Sequence, residues 1–485
     1  MENRKNVFLV YLILGIGIFL RFYRLGKLCF WCDEFLAIFL GEKPISLMVE
    51  YITFKDAHPP LFYLIVHFLL KGGNSEFYLR LFPAFFGILC IPLAYILGKE
   101  LLNEKTGLIF SLIIALNPAH VLWAQILKSY TFFTFFLLVS FYFFLKIIKR
   151  EKITYWVFLF LVNIILLYTH NFSFLVIVIQ GIYLIFKKKL TKKWIFYYFF
   201  LLFAYFPWLL RIPSQLKFTL GVRRQIPLIF RYFYIFFYFF LGETVNPFNF
   251  YVICPAVIVF STLIFKGMIE LKELKREENF VVYLGLFLPL SLVPFPSTVP
   301  QNLLPYSVFW LFLISVGISE IKYQRIFLSI IIFIFSISNF FHFTGRVSQF
   351  HDVSKLVPYR EIGKFMSIIT EPEDIIFSTE KRQLLRNRTF SPFEWYYRGK
   401  ATVIEAIPEK LKIEDIPEIV ENHKRIWVFF DYNENPSWSE VLKKYFESNY
   451  KKVWSEKYLY NEKLLSRLKG KKEYTWFAEI CVFEK

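Results

Sequence analysis

Apolar segments recur along this chain at the length of a bilayer crossing, and this constrains the fold before any single residue does. Hydrocarbon offers no water to backbone N–H and C=O groups, so a crossing segment must be a helix of roughly 17–25 apolar residues. Eleven candidates stand at approximately 7–24, 77–98, 106–123, 130–148, 153–169, 172–186, 194–211, 250–266, 280–296, 303–319 and 325–343. Two further apolar stretches are short. Residues 59–70 read as a helix along or re-entering the interface, and the aromatic stretch 228–241 reads as interfacial or spanning, so the expected total is about 11–13 spans. A chain that is 56% hydrophobic and 21% aromatic is too apolar for a water-soluble globule. The first run follows Arg4 and Lys5 as a signal peptide would, but it leads into Arg21-Phe22-Tyr23-Arg24 without a small-residue cleavage site. We read it as a retained span.

The formal net charge of +19 is clustered rather than spread. With eleven spans, Lys99/Lys105, Lys146–Lys152, Lys187–Lys193, Lys266–Arg276 and Lys322/Arg325 all fall on one side, together with Arg4 and Lys5. Positive loops face the cytoplasm. There is no basic stripe with interleaved aromatics, which sets nucleic acid aside as a partner. The opposite face then collects Asp33, Glu34, Asp56 and His58 in the first loop, with His120, Gln125 and Lys128 in the second. His170 and Asn171 fall in the third, Arg211, Lys217, Arg223 and Arg224 in the fourth, and Gln301 and Asn302 in the fifth. The expected setting is a multi-pass integral membrane protein of a bacterial inner or plasma membrane, with its chemistry on the outer face.

From about residue 346 long apolar runs stop and charges become frequent. Helical spacing at Tyr359–Ile369 and Ser439–Tyr445 alternates with strand-like runs at 375–377, 401–404, 425–430 and 477–483. This predicts a soluble α/β domain over 346–485, extracytoplasmic because the span count is odd. The membrane domain is 1–345, and its first outer loop, 25–76, carries the candidate catalytic residues.

Within that loop, Phe30-Trp31-Cys32-Asp33-Glu34 places two carboxylates where a span ends. Charge beside hydrocarbon is costly and more often belongs to a site than to decoration. Asp33 can take a proton from an attacking hydroxyl or amine; equally, it can cap a helix running from Glu34 to Leu40. Neighbouring helical residues point about 100° apart, so one carboxylate of the pair faces the site while the other supports it. Asp56 and His58 precede Pro59-Pro60, which stiffens the chain and launches a helix at Leu61. This pair can ligate a divalent cation, hold a phosphate, or form a satisfied interfacial contact. Arg80, Lys128, Arg223 and Arg224 can neutralise a lipid phosphate or snorkel. Cys29 and Cys32 form a disulfide or remain two thiols.

Trp31-Cys32-Asp33-Glu34 followed by Asp56-Ala57-His58-Pro59-Pro60-Leu61 resembles the protein O-mannosyltransferase superfamily, which includes the lipid A aminoarabinose transferases. Phe77–Gly87 with Arg80 and Pro83, Leu116–Tyr130, Leu167–His170 and Pro207-Trp208 extend the resemblance over nearly the whole chain. Two departures stand out. Relatives carry Gln-Glu-Ala-Arg where this chain has Gln125-Ile126-Leu127-Lys128, and Arg-Tyr where it has Gln301-Asn302. Lys128 keeps the charge but not the two-pronged guanidinium.

The resemblance implies a GT-C fold and an inverting transfer of a monosaccharide from a polyprenyl-phosphate donor to a glycolipid, polymer or protein acceptor. It casts Asp33 as the base, with Glu34 and Asp56 in support. His58, Lys128, His170, Arg223 and Arg224 would cradle the phosphate, with Arg80 and Gln301 nearby. No cofactor is obligatory, although Asp56 and His58 are candidate ligands for a divalent metal. The rival class is a flippase of lipid-linked sugars. Transporters place ionisable residues near the midplane and often carry inverted repeats; here the ionisable residues sit at span ends and no repeat is evident.

Overall fold

The computed structural model describes residues 2–485 except 57, 221–226, 243, 245–249, 275, 296–297, 345–357, 381–382, 386–387, 433–435 and 463–473. The chain forms two compact units: residues 1–25 with 40–348, and residues 26–39 with 349–485. Composition alone places 26–39 with the membrane part. The structure groups it with the C-terminal unit.

The first unit is helical. Its elements are α1 (Glu2–Phe22), the end of α2 (Cys32–Gly41), α3 (Ile45–Lys55), α4 (Leu61–Leu69), α5 (Glu76–Leu101), α6 (Glu104–Leu116) and α7 (Pro118–Ala124). These are followed by α8 (Tyr130–Lys149), α9 (Ile153–Thr169), α10 (Phe174–Phe186), α11 (Lys192–Leu209), α12 (Ile212–Leu220) and α13 (Leu228–Leu241). The unit ends with α14 (Phe250–Glu273), α15 (Asn279–Phe287), α16 (Pro300–Leu303), α17 (Ser307–Glu320) and α18 (Gln324–Thr344). Each of the eleven predicted spans coincides with one of these helices or with a broken pair.

Among the described residues, five helices are long and apolar enough to cross a membrane, or six if the bent pair α6–α7 counts as one; five further apolar helices are shorter. Phe8, Phe196, Phe203, Phe233, Phe265 and Phe333 project from helix surfaces into the surroundings. Lipid is the solvent that suits such a surface.

Where hydrophobicity cannot drive association, close backbone packing and buried polar contacts do. Helices α14 and α17 meet through a reciprocal glycine pair. A Cβ on Gly267 would lie 2.2 Å from the Leu313 carbonyl oxygen, and one on Gly317 would lie 2.1 Å from that of Leu263. Helices α8 to α11 share a ring of buried polar groups. Ser140 Oγ donates to Asn163 Oδ1 (2.6 Å), and Asn163 Nδ2 donates to Gln180 Oε1 (3.0 Å) and Tyr197 Oη (2.7 Å). Gln180 Nε2 closes the ring on Ser140 Oγ (2.7 Å).

The 106–123 span is broken by 56° at Asn117. Pro118 stands first in α7, where its missing N–H costs nothing, and Asn117 Oδ1 accepts from His120 N at 3.1 Å. The carbonyls freed at the end of α6 are capped from elsewhere. Arg21, fully buried, donates to Ala115 O (3.0 Å) and Ile114 O (3.0 Å), and Asn339 Nδ2 donates to Leu116 O (2.8 Å).

The second unit is an α/β domain with α19 (Tyr359–Ile369), α20 (Pro392–Tyr396), α21 (Ile416–Val420) and α22 (Pro436–Asn449). Its strands are β1 (Ile375–Ser378), β2 (Gln383–Leu385), β3 (Arg388–Phe390), β4 (Thr402–Glu405), β5 (Ile426–Asp431), β6 (Lys451–Glu462) and β7 (Tyr474–Glu484). The main sheet runs β4-β1-β5-β7-β6; β1 is parallel to β4 and β5, and β7 is antiparallel to β5 and β6. Strands β2 and β3 form a separate antiparallel pair.

Successive side chains of a strand point to opposite faces, and here each face has its own core. Ile376, Trp427 and Phe429 pack with Tyr359, Ile362 and Met366 of α19 and with Phe393 of α20. Ile375, Phe377, Val428 and Phe430 pack with Ile416, Val420, Leu442 and Phe446 on the other face. Strands β1 and β5, covered on both sides, are buried along their whole length.

Candidate functional site

The acidic pair belongs to the second unit. Cys29 is buried in the α19/α20 core, and the side chain of Cys32, its candidate disulfide partner, lies outside the described residues. Phe30 N donates to the Tyr396 hydroxyl at 3.0 Å, and the Phe35 ring meets Trp395 and Tyr396 at centroid distances of 6.1 and 5.8 Å. Arg360 donates to the Gly26 carbonyl (3.0 Å) and to that of Lys27.

Helix α2 begins at Cys32, two residues before the predicted Glu34, so Asp33 sits inside the first turn and is not its cap. The capping contact belongs to Glu34. Fully buried, its Oε2 accepts from Trp31 N at 3.2 Å, the return half of a capping box. The two adjacent carboxylates therefore divide as neighbouring helical positions must: Glu34 turns inward and Asp33 stays partly exposed.

In the first unit, four chain corners bring polar side chains together. Helix α3 stops at Asp56, whose backbone is extended (φ −143°, ψ 162°), and the diproline starts α4 one corner later. That geometry returns Tyr63 to Asp56. The buried carboxylate accepts from the Tyr63 hydroxyl and pairs with His58 Nδ1 at 2.8 Å. Burial alone would push the Asp56 carboxyl up. The His58 charge and hydrogen bond, the Tyr63 hydroxyl and the Lys128 ammonium outweigh it and hold the group below the usual carboxylate range. Lys128, buried in the turn between α7 and α8, is thus electrostatically linked to Asp56.

His170, at the corner after α9, completes the cluster. Its ring is 5.1 Å from that of His58, 6.1 Å from Tyr130 and stacked on Phe133 at 5.5 Å. Its Nδ1 accepts from Phe172 N at 3.0 Å, which caps the 3-10 turn leading into α10 and fixes the Nε2–H tautomer of the neutral ring. Burial and the adjacent His58 keep the ring well below the ordinary imidazole range, hence neutral. Its Nε2 is buried with the Asn302 side chain as its polar neighbour, and no well-formed hydrogen bond joins them. Nearby, the Tyr130 hydroxyl donates to Asn302 Oδ1 at 3.1 Å.

Gln215 of α12 holds the Asp56–His58 corner in place, donating to Ile52 O (2.9 Å) and His58 O (3.1 Å) while accepting from Asn171 Nδ2 (3.1 Å). The sequence reading left out Tyr63 and Gln215, which carry no charge and belong to no spacing rule. It quoted Tyr130 only as part of a longer motif and named Asn302 among the outer-face residues without giving it a role.

The other candidates divide. Arg80, buried in α5, donates to the Leu25 carbonyl at 3.2 Å and tethers the end of α1. Gln301 is half-buried on α16, beside Asn302. Arg223 and Arg224 lie outside the described residues. Gln125 is a helix cap: its Nε2 donates to Leu20 O (3.0 Å), Arg21 O (3.2 Å) and Tyr23 O (2.9 Å), and His342 Nε2 pairs with its Oε1 at 3.0 Å. His120 pairs with Ser307 Oγ at 2.9 Å. The metal candidates Asp56 and His58 are engaged with each other, and among the described residues no group of three or more His, Cys, Asp or Glu is arranged to hold an ion.

Comparison with known proteins bears on the fold. Residues 57–210 match the family model of dolichyl-phosphate-mannose-protein mannosyltransferases. No curated protein matches the sequence. Among solved structures, apo ArnT from Cupriavidus metallidurans superposes with a TM-score of 0.57 at 10% identity, covering 97% of each chain. The same protein bound to undecaprenyl phosphate gives 0.56 at 10% identity and the same coverage. The Archaeoglobus fulgidus oligosaccharyltransferase AglB, in complex with an inhibitory peptide and a dolichol-phosphate, gives 0.53 at 10% identity over 94% of this chain and 73% of that one. Across its length the chain has the GT-C fold seen in these structures, and its residues 57–210 match the dolichyl-phosphate-mannose-protein mannosyltransferase family model.

Proposed function

We propose that this protein is an inverting membrane glycosyltransferase that moves a monosaccharide from a polyprenyl-phosphate donor to a hydroxyl on a glycolipid, polymer or protein. One observation carries the reading: the buried Nε2–H of His170 makes no well-formed hydrogen bond, with Asn302 as its polar neighbour, in a cluster that also holds Lys128, His58 and Tyr130. A neutral donor and a buried cation suit a phosphate diester, which becomes a more charged phosphate as the sugar leaves. The leaving group is already a stabilised anion, so no general acid is needed, unlike glycoside hydrolysis with its two carboxyl groups.

Asp33 takes the proton of the acceptor hydroxyl, whose oxygen attacks the anomeric carbon from the face opposite the phosphate. Glu34 fixes the turn that presents Asp33, and Asp56 orients His58. The lysine clusters support a cytoplasmic location for the opposite face, which makes the reaction extracytoplasmic. The length-spanning likeness to a protein whose structure holds undecaprenyl phosphate supports the donor class.

The test is mass spectrometry of lipid co-purifying with wild type and with Asp33→Asn. A polyprenyl-phosphate sugar that accumulates in the variant supports the reading and identifies the sugar. Ordinary phospholipid alone in both proteins overturns the donor assignment and favours the flippase alternative.

A further inference from the structure

We infer that the C-terminal unit acts as the mount of the Asp33 turn, with Tyr396 as its positioning residue; this rests on the base role given to Asp33 above. The contacts form a chain outward from the middle of the sheet. Glu380, buried two residues beyond β1, accepts through Oε2 from the Ser391 hydroxyl and from Phe393 N at 3.1 Å, which fixes the start of α20. At the other end of this five-residue helix, the Tyr396 hydroxyl accepts from Phe30 N, and Trp395 and Tyr396 grip the Phe35 ring. Trp31 N is then held by Glu34, and Asp33 lies between these two fixed points. The chain on either side of Phe30 is pinned as well, by Cys29 in the core and by Arg360 on the Gly26 and Lys27 carbonyls.

This segment is separated by more than 300 residues from α20, yet it groups with the C-terminal unit and not with the helices that flank it in sequence. A substrate-selecting or stabilising domain has no need to hold residues 26–39 in its own core. A catalytic carboxylate does need a rigid support, because small misplacements of a reacting group lower the rate steeply.

Tyr396→Phe removes one hydrogen-bond acceptor and leaves the ring, so the fold survives. The loss of one neutral hydrogen bond predicts roughly fivefold faster hydrogen exchange at the Phe30 amide. Tyr396→Ala, which also releases Phe35, exceeds that. In the co-purified lipid, the ratio of polyprenyl-phosphate sugar to free polyprenyl phosphate rises by a similar factor while total bound prenyl lipid is unchanged, because chemistry slows and donor binding does not. In an Asp33→Asn background, Tyr396→Phe changes the lipid ratio no further.

Faster exchange with a wild-type lipid ratio overturns the positioning role, as does a fall in total bound lipid in place of the ratio change. Unchanged exchange in both Tyr396 variants overturns the docking itself. If Asp33→Asn alone leaves the ratio at the wild-type value, the base assignment fails instead, and the exchange data separate that outcome from a failure of the mount.

Discussion

Replacing His170 by Asn separates the two things this residue does. The Nδ1 caps the turn into α10 by accepting from Phe172 N, and Asn is a good cap, so that contact survives. The Nε2–H, buried without a well-formed hydrogen bond, disappears. An unsatisfied buried polar group costs about 1–3 kcal/mol, and the lost stacking on Phe133 costs about 0.5–1.5 kcal/mol. These oppose each other, so the ligand-free protein is expected to unfold within a degree or two of wild type in detergent. Binding tells a different story. A hydrogen bond to a charged phosphate contributes about 1.5–3 kcal/mol, so undecaprenyl phosphate is expected to bind roughly 10- to 150-fold more weakly.

Titration adds a second signature. The folded ring is held neutral well below its ordinary value of 6.5, so its contribution to stability is complete above that value and is lost as pH falls toward the depressed folded one. His170→Asn lacks this acid-sensitive component, and across pH 7–8 the affinity gap stays constant because the donor is present throughout. The assays are undecaprenyl phosphate binding and thermal unfolding on the same preparations. Wild-type affinity combined with a clearly lower unfolding temperature would refute the reasoning, since it would make the ring a packing element only.

Asp56→Asn is expected to lower stability at neutral pH. The Asp56 contribution is present above the unfolded carboxylate value near 3.8 and is lost as pH falls through the depressed folded value, so the gap to wild type should narrow in unfolding curves taken near pH 3. Gly317→Val places a side chain against the Leu263 carbonyl and forces α14 from α17; a loss of about 1–3 kcal/mol should appear as a lower unfolding temperature and a broadened size-exclusion peak. Gln125→Leu strips the end of α1 of three hydrogen bonds and removes the one to His342, a cost of roughly 2–4 kcal/mol, while Gln125→Glu, which can no longer donate to those carbonyls, is expected to be equally destabilised.

Periodic hydrophobicity made the membrane unit legible, because a bilayer imposes one length scale on every crossing. Strands β1, β5 and β7 were legible for a related reason: buried strands read as short runs such as Ile426–Asp431. Strand β6 was missed. Its stretch Lys451–Glu462 mixes charged, polar and aromatic residues at the sheet edge, a pattern that loops also show.

The acidic pair stands out in the sequence, but its place in the C-terminal unit does not. The contact between Phe30 and Tyr396 spans 366 residues, and nothing local encodes it. The Asp56–His58 corner was legible through its diproline. Its partners Tyr63 and Gln215 were not, because a tyrosine or glutamine becomes informative only once folding has placed it beside a carboxylate or a carbonyl. Gln125 shows the reverse case, a motif residue whose hydrogen bonds end a helix.

The arginine that closes the broken helix also sets a chronology. Arg21 is synthesised with the first span, but the carbonyls it binds lie 93 and 94 residues later, at the end of α6. Until α6 emerges, its guanidinium waits at the membrane–water boundary, where a long cation can still reach water. The arrival of α6 supplies acceptors and lets the charge be sealed inside. A chain that inserts α6 wrongly therefore keeps an arginine without these carbonyl acceptors at its first span.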